Sequence, residues 1–195
     1  NILPPGKGKN ARTGDEKAMV RARQTFLATG LYHGISDGIA SLFAKHLPTD
    51  HVPILCDSGC GEGYHTLRIT ESLSQSRGGV LIYGFDASKI AVGYAAKAAA
   101  RHGYTGESGI GSDGETICAF CPANIYALPL ADSSVDAVLS MFAPVAVDEN
   151  LRVLREEGIL LVASSGVRHL TEIRALLYDD VHYHEDTAAV YEGFT

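Results

Sequence analysis

The chain has 195 residues and a formal net charge of -7, with 46% hydrophobic and 20% charged residues. This composition is typical of one globular domain that buries a core, and the charge argues against a chain that wraps nucleic acid by bulk electrostatic attraction. The sequence has no apolar run of about 18 residues and no charged-then-apolar leader, so we expect no membrane span and no secretory signal.

The first part of the chain, residues 1–48, is predicted to form an N-terminal basic arm and helices. We expect it to make a single domain with a core over residues 49–195. Residues 1–14 are rich in proline, glycine and basic residues, which is typical of an irregular arm. Apolar spacing predicts helices over 15–29 and Ile35–His46. The basic side chains of this part are expected to be solvated: Lys7, Lys9, Arg12, Lys17, Arg21 and Arg23.

Beyond residue 48, short apolar runs alternate with helical segments. The predicted strands are Val52–Cys56, Val80–Phe85, Thr116–Phe120, Val135–Ser140 and Gly158–Ala163. The predicted helices are Tyr64–Leu73 and Lys89 to about His102, with a glycine-rich loop at 103–115. Glu149–Arg155 and Arg168–Tyr178 are each predicted to be part of a further helix. Such alternation is typical of βαβ units. It predicts the α/β class, with a Rossmann-like parallel sheet covered by helices on both faces.

A glycine-rich turn follows the first predicted strand. The run from Asp57 to Gly63 places glycines at positions 59, 61 and 63, between a strand and a helix. Glycine lets the backbone turn sharply and approach a ligand closely, and a helix N-terminus presents unpaired amides to polar ligand groups. The run therefore predicts a binding turn, with a tight turn that binds nothing as the alternative.

Asp86 ends the second predicted strand, 23 residues after Gly63. An acidic side chain at this position can accept hydrogen bonds from both ribose hydroxyls of an adenosine. Its alternative role is to cap the next helix, but Ser88 is suited to that role. Asp86 and the glycine run together favour an adenosyl cofactor.

The spacing of the glycines distinguishes between adenosyl cofactors. A dinucleotide site is typically G-x-G-x-x-G, whereas this run is G-x-G-x-G, and Asp57 before it would repel a pyrophosphate. S-adenosylmethionine has no phosphate, and acidic residues attract its ammonium and sulfonium groups. The sequence therefore favours S-adenosylmethionine over NAD.

Two further segments follow later predicted strands. Asn124 comes after the third strand, in position to reach the adenine edge, although an ordinary loop asparagine is an equal alternative. The segment Met141-Phe142-Ala143-Pro144 follows the fourth strand. Since the active site of an open parallel sheet lies at the carboxyl ends of its strands, this segment is a candidate wall of the methyl-acceptor pocket. Its alternative role is a turn that ends at proline.

The four cysteines raise the alternative of a zinc site. They form a C-x-x-x-C pair, Cys56 and Cys60, and a C-x-x-C pair, Cys118 and Cys121. Four such thiolates can hold zinc. However, Cys56 and Cys118 fall inside predicted buried strands, where a free cysteine usually acts as a small hydrophobic residue. We therefore predict no metal site in this chain.

The run Asp57-Ser58-Gly59-Cys60-Gly61-Glu62-Gly63-Tyr64-His65-Thr66 resembles RlmA-type 23S rRNA (guanine-N1)-methyltransferases, which are class I S-adenosylmethionine-dependent enzymes. Matches to that family continue in the same order along the chain. They are Asn1-Ile2-Leu3-Pro4, Ala22-Arg23-x-x-Phe26-Leu27-x-x-Gly30-x-Tyr32, Phe142-Ala143-Pro144, Arg168-His169-Leu170 and Glu192-Gly193-Phe194-Thr195.

The resemblance implies a class I methyltransferase core. Its activity would be methyl transfer to N1 of a guanine in a hairpin loop of 23S rRNA, in the cytoplasm. One branch of the family confers macrolide resistance. By resemblance, Tyr32, His65, Thr66 and His169 would border the cofactor. Together with the residues argued above, the predicted cofactor-binding set is Tyr32, Asp57, Gly59, Gly61, Gly63, Tyr64, His65, Thr66, Asp86, Asn124 and His169. The candidate substrate-pocket residues are Phe142, Pro144 and Arg168.

The same resemblance implies parts that lie outside this sequence. Family members begin with a small cysteine/histidine zinc module that helps to bind RNA, and they continue into the closing strands of the sheet. We expect that module before Asn1, with zinc bound only there, and the closing strands after Thr195. A homodimer is left open.

The guanine N1 carries a proton at neutral pH, so a base or a solvent path should remove it. The sequence assigns no catalytic residue to that step. Two other functions stay open. One is a small-molecule methyltransferase on the same fold, and the other is a non-catalytic, cofactor-binding RNA-interaction module.

Overall fold

The computed structural model of the chain describes residues 17–104, 115–169, 171–177 and 193–194. The predicted arm at 1–14, with Lys7, Lys9 and Arg12, and most of the loop predicted at 103–115 lie outside the described residues. No helix within them is long and apolar enough to cross a membrane.

Helices and strands alternate along the described residues after an initial pair of helices. The helices are α1 (Lys17–Leu27), α2 (His33–His46), α3 (Tyr64–Arg77), α4 (Lys89–Arg101), α5 (Val147–Val153) and α6 (Thr171–Leu177). The strands are β1 (Ile54–Ser58), β2 (Val80–Asp86), β3 (Thr116–Pro122), β4 (Val135–Met141) and β5 (Leu154–Ala163).

The five strands form one parallel sheet in the order β3-β2-β1-β4-β5. Asp57 of β1 lies opposite Gly84 of β2 and Leu139 of β4. The direction of winding reverses between β1 and β4, and an open parallel sheet binds its ligands at the carboxyl ends of the strands at such a point. The predicted α/β, Rossmann-like class is confirmed.

The hydrophobic core lies on both faces of the sheet, because successive strand residues point to opposite sides. Leu139 packs in a cluster with Phe43 of α2 and Leu73 of α3. Its neighbour Val138 packs in a second cluster, with Val153 of α5. All seven residues of β4 are buried, as expected for a central strand. Burial of each large aliphatic side chain stabilises the fold by about 1.5–3 kcal/mol.

Several element boundaries differ from the predictions. The first strand was predicted over Val52–Cys56, but it begins later, at Ile54, whose amide donates to Asp136 Oδ2 over 2.8 Å. The helix predicted to run to Arg155 ends at Val153, and Leu154 opens β5. The reason is that Leu154 is buried in the sheet, opposite Val135, so burial outweighs the helical pattern.

The last predicted helix, Arg168–Tyr178, was wrong at its start. The helix begins at Thr171, and the residues before it form a turn. The Thr171 hydroxyl donates to the Arg168 carbonyl over 2.8 Å, which closes that turn. Tyr178 lies outside the described residues. By contrast, the predicted cap of α4 is confirmed, since Ser88 Oγ accepts from the Ala91 amide over 3.2 Å.

The cysteines lie as the strand predictions imply. Cys56 in β1 and Cys118 in β3 are buried, whereas Cys121 at the end of β3 is exposed. Burial raises the pKa of the Cys118 thiol to about 12 and raises the pKa of Cys56 as well. Both thiols are therefore protonated at neutral pH and behave as small hydrophobic side chains.

Candidate functional site

A cleft of about 510 Å³ opens beside the carboxyl ends of β1, β2 and β4. Its walls come from α1 and the turn after it, the glycine turn, the end of β2 and the segment after β4. A larger groove, about 890 Å³, runs along β5 and contains none of the predicted site residues. The cleft is therefore the candidate site.

The glycine turn forms the floor of this cleft. The amides of Gly59 and Cys60 both donate to the Phe85 carbonyl, over 2.8 and 3.0 Å, which fixes the turn to β2. Gly59 has φ +100°, and a Cβ there would lie 2.5 Å from Ala143 Cβ. Only glycine therefore lets the segment after β4 approach the turn. Gly59 and Gly61 line the cleft.

Gly63 has a different role from the other two glycines. A Cβ at this position would lie 2.7 Å from Ala95 Cβ and 2.9 Å from Phe120 Cζ, and its φ is +79°. Gly63 is thus required for packing of the turn against α4 and β3, and the described lining of the cleft does not include it.

Asp86 presents a fixed carboxylate to the cleft. Its Oδ2 accepts from the Gly61 amide over 3.1 Å, and its Oδ1 accepts from the Ser88 amide over 2.7 Å. An ionised carboxylate has about four lone-pair sites. The two amides orient the group and leave each oxygen able to accept another hydrogen bond, as two ribose hydroxyls would require.

Asp57 lies beneath the cleft rather than on its surface. Its side chain is 4% exposed and, with Thr66, borders an internal cavity of about 10 Å³. The Thr66 hydroxyl donates to Oδ2 over 2.6 Å, whereas Oδ1 has no partner among the described residues. The pKa of Asp57 is raised to about 7, mainly because the group is buried; the Thr66 hydrogen bond opposes the shift and the negative charge of Asp86 adds to it.

A cluster of aromatic rings borders the cleft on the side of α2 and α3. The His65 ring contacts Tyr32, Tyr64 and Phe142, with ring centroids 6.2, 4.9 and 6.5 Å apart. The Nδ1 atom of His65 is 2.8 Å from Oγ of the buried Ser36. Burial lowers the pKa of His65 to about 4, so its imidazole is neutral at pH 7.

Phe142 has a strained backbone at the mouth of the cleft. Its φ is +51°, a left-handed conformation that bulky residues rarely adopt. Its amide donates to the Ala163 carbonyl over 2.8 Å, yet its ring stays 49% exposed. An exposed aromatic ring that is held under strain beside a cleft is typical of a ligand contact. Pro144 lines the same wall.

Arg23 is exposed, as predicted, with 40% of its side chain accessible, but it also forms an ion pair that the sequence did not predict. Its Nη1 donates to Oε2 of Glu62 over 3.1 Å, and Glu62 is 5% exposed in the glycine turn. Both side chains line the cleft. Two residues earlier on α1, Arg21 keeps an exposed position and donates to the Tyr94 hydroxyl over 3.2 Å.

Three predicted site residues lie apart from the cleft lining that the structure describes. Asn124 follows Ala123, whose amide donates to the Asp86 carbonyl over 3.0 Å, and its own Oδ1 accepts from the Tyr126 amide over 3.1 Å. Arg168 and His169 lie in the turn before α6. The cleft gathers the remaining predicted residues, with Asp57, Gly63 and Thr66 behind its wall.

Sequence analysis did not identify Ser36 or Glu62 as site residues, and it did not predict that the exposed Arg23 pairs with Glu62 at the cleft. Glu62 lies inside the glycine run, and Arg23 lies inside a segment that resembles the family. The sequence therefore contained a reason to consider both residues for the site. Their pairing spans 39 residues. Neither residue type nor spacing predicts which distant partner a surface arginine will meet.

The chain matches the family model described as "Methyltransferase domain" over residues 51–192. It is 31% identical over 178 residues to a Micromonospora griseorubida protein named "Putative 23S rRNA (guanine-N(1)-)-methyltransferase", which covers 85% of this chain and 54% of that protein. It is 30% identical over 159 residues to the 23S rRNA (guanine(748)-N(1))-methyltransferase of Streptomyces fradiae, covering 82% of this chain and 50% of that one. The chain thus spans about half the length of these curated relatives.

A solved structure shares the fold. It is a "putative s-adenosyl-l-methionine-dependent methyltransferase" from Methanococcus maripaludis, with a TM-score of 0.59 and 16% identity, over 88% of this chain and 74% of that one. The resemblance to the rRNA (guanine-N1)-methyltransferases seen in the sequence is confirmed by the curated relatives.

Proposed function

Because the chain belongs to the methyltransferase-domain family, we propose that it transfers a methyl group from S-adenosylmethionine to N1 of a guanine in a hairpin loop of 23S rRNA. The observation that carries the proposal is the Asp86 carboxylate, which two backbone amides orient into the cleft beside the glycine turn. The names of the relatives support the choice of rRNA as the substrate.

The residues present fit the cofactor. Asp86 would accept hydrogen bonds from the ribose hydroxyls, and the turn of Gly59 and Gly61 would lie against the ligand. Asp57 directly precedes the glycine turn, and its buried Oδ1 has no partner among the residues that the structure describes. A buried acceptor there suits the cationic amino-acid end. When bound, S-adenosylmethionine supplies an electrophilic methyl group on its sulfonium.

The aromatic rings at the mouth of the cleft support a planar methyl acceptor. A guanine in a folded loop has to be splayed out before an enzyme can reach it. Phe142 and Tyr32 present rings to the cleft, and such rings stack on unpaired bases. Pro144 would form part of the same wall. The neutral His65 imidazole lies between the two rings.

The other parts of the proposal depend on the family resemblance. Asn124 would reach the adenine edge, Tyr64 and His169 would border the cofactor, and Arg168 would contact the RNA. Zinc would be bound by a module outside this chain that assists RNA binding. The proposed setting is the cytoplasm, where ribosomal RNA is modified.

The test uses the full-length protein and has two stages. Calorimetric titration with S-adenosylmethionine is expected to give binding that Asp86→Ala abolishes, with no binding of NAD. Unmodified 23S rRNA is then incubated with labelled cofactor, digested to nucleosides and analysed by mass spectrometry for N1-methylguanosine.

The outcomes separate the alternatives. N1-methylguanosine supports the proposal. Cofactor binding together with methylation of small acceptors but not of rRNA would identify a small-molecule methyltransferase, and binding without turnover on either would identify a non-catalytic module. Absence of cofactor binding by the full-length protein contradicts the methyltransferase proposal itself.

A further inference from the structure

Arg23 is the only lysine or arginine among the described residues that line the cleft. It reaches the cleft from α1, an element that precedes the core. Its Nη1 atom lies 3.7 Å from the position that a Cβ on Gly61 would occupy. The amide of the same Gly61 donates to Asp86. One glycine of the turn is therefore flanked by a fixed carboxylate and a guanidinium.

S-adenosylmethionine carries positive and negative groups, so its binding site needs side chains of both charges. Its sulfonium and ammonium suit carboxylates, but its α-carboxylate needs a cation or N–H donors. Glu62 and Asp86 supply negative charge at the lining. His65 adds no positive charge, because its lowered pKa leaves it neutral at pH 7. Among the lining side chains described, the α-carboxylate thus has one cationic candidate.

Glu62 explains how the guanidinium is held there. Its carboxylate is 5% exposed, and an unpaired carboxylate so deeply buried would be costly. The 3.1 Å contact with Arg23 satisfies it and orients the guanidinium. A guanidinium has five N–H donors in a rigid fork, so one arginine can hold two carboxylates.

We infer that Arg23 binds the α-carboxylate of S-adenosylmethionine and that Glu62 positions the Arg23 guanidinium over the glycine turn for this contact. The inference rests on the proposed function and adds a binding residue from outside the core. It makes α1 a wall of the cofactor site. The competing arrangement is that the amides at the N-terminus of α3, which Gly63 leaves without a side-chain cap, hold the carboxylate without Arg23.

The experiment compares two ligands on the full-length protein by calorimetry: S-adenosylmethionine and its decarboxylated form, which keeps the sulfonium and an amine. The wild type is expected to prefer the carboxylated ligand by about 10- to 100-fold, as a charge-assisted hydrogen bond implies. Arg23→Met should abolish that preference and leave affinity for the decarboxylated ligand within about threefold, while Arg23→Lys should restore part of the preference.

Matched variants separate ligand binding from folding. Arg21→Met removes an arginine of the same helix that does not line the cleft, and it should keep the full preference. Glu62→Gln should weaken the preference partly, because the guanidinium loses its anchor. The retained affinity of Arg23→Met for the decarboxylated ligand reports that the site is folded.

Three results would overturn the inference while the proposed function stands. The first is an Arg23→Met variant that keeps the full preference, as the amides of α3 would give. The others are a wild type that binds both ligands equally, and, finally, an Arg23→Met variant that loses affinity for both by the same factor. Equal loss of affinity for both ligands would mean that Arg23 only supports the fold through Glu62. A wild type that binds neither ligand would contradict the proposed function and this inference together.

Discussion

Thr66 donates its hydroxyl proton to Oδ2 of Asp57 over 2.6 Å, and Oδ1 of the same buried carboxyl has no partner among the described residues. One carboxyl oxygen is therefore satisfied by the protein, whereas the other meets no donor from the part of the chain that the structure describes. Burial accordingly raises the pKa of Asp57 from 3.8 to about 7. Either a bound proton or a nearby cation offsets the cost of burying the Asp57 carboxylate, so proton binding and cation binding compete.

We first predict that affinity for S-adenosylmethionine depends on Asp57. A cationic ligand favours the ionised carboxylate, so affinity should fall as pH decreases below about 7, by up to tenfold for each pH unit. Calorimetric titrations of the full-length protein at pH values from about 5.5 to about 8.5, in steps of about half a unit, would measure how the affinity depends on pH.

The control is Asp57→Asn, which keeps the shape of the side chain but cannot ionise. Its affinity should be lower at high pH and nearly independent of pH. A variant that keeps the wild-type slope would show that another group titrates and that the charge of Asp57 does not act on the bound cation.

The second prediction concerns stability against pH. The pKa of His65 is lowered from 6.5 to about 4, so between these values the unfolded chain binds more protons and stability rises with pH. The pKa of Asp57 is raised from 3.8 to about 7, so there the folded chain binds more protons and stability falls as pH rises. The two groups act in opposite directions over nearly the same window.

Urea denaturation at a series of pH values would separate them. His65→Gln should remove the increase in unfolding free energy with pH that His65 causes. We expect this increase to be about 1–2 kcal/mol, because His65 is partly exposed to solvent that screens its charge. Asp57→Asn should remove the decrease in unfolding free energy with rising pH that Asp57 causes. Equal slopes in the two variants would contradict the assignment of either pKa.

The sheet and the core of the site follow from local patterns in the sequence. Apolar runs of five or six residues predicted all five strands, and a strand that ends in Asp86 after a glycine turn predicted the carboxylate in the cleft. Both features depend on short-range chemistry, namely side-chain burial and the conformational range of glycine.

Features that depend on contacts between distant segments were not predictable. Arg23 lies 39 residues from Glu62, and Ser36 lies 29 residues from His65. The predicted end of α5 was also wrong. Leu154 joins β5 because its side chain is buried against the sheet, whereas the local sequence pattern favoured a helix. Asp57 was expected against the ligand, but it is buried and borders the small internal cavity rather than the described lining of the cleft.

The third prediction tests the packing role of Gly63. Gly63→Ala should destabilise the protein by roughly 2–5 kcal/mol, from left-handed strain and from the overlap of the new methyl group with Ala95 and Phe120. Urea denaturation measures this. The control is Gly93→Ala in α4, where nothing lies within 4 Å of the new Cβ. That change should stabilise by about 0.5–1 kcal/mol, and equal effects at the two sites would refute the packing argument.

The fourth prediction tests Phe142 as the surface on which the target base stacks. Phe142→Ala removes the ring that borders the cleft but leaves the glycine turn, Asp86 and Asp57 intact, so affinity for S-adenosylmethionine should change little. Stacking on an aromatic ring is worth about 1–3 kcal/mol for each base, so kcat/KM for rRNA methylation should fall by roughly 5- to 100-fold. Leu42→Ala is the matched control, because Leu42 is 50% exposed, like Phe142 at 49%, and lies on α2 outside the cleft lining.

If the Phe142→Ala and Leu42→Ala variants methylate rRNA equally well, the base does not stack on Phe142. If Phe142→Ala instead weakens cofactor binding by the same factor as methylation, the ring belongs to the cofactor side of the cleft.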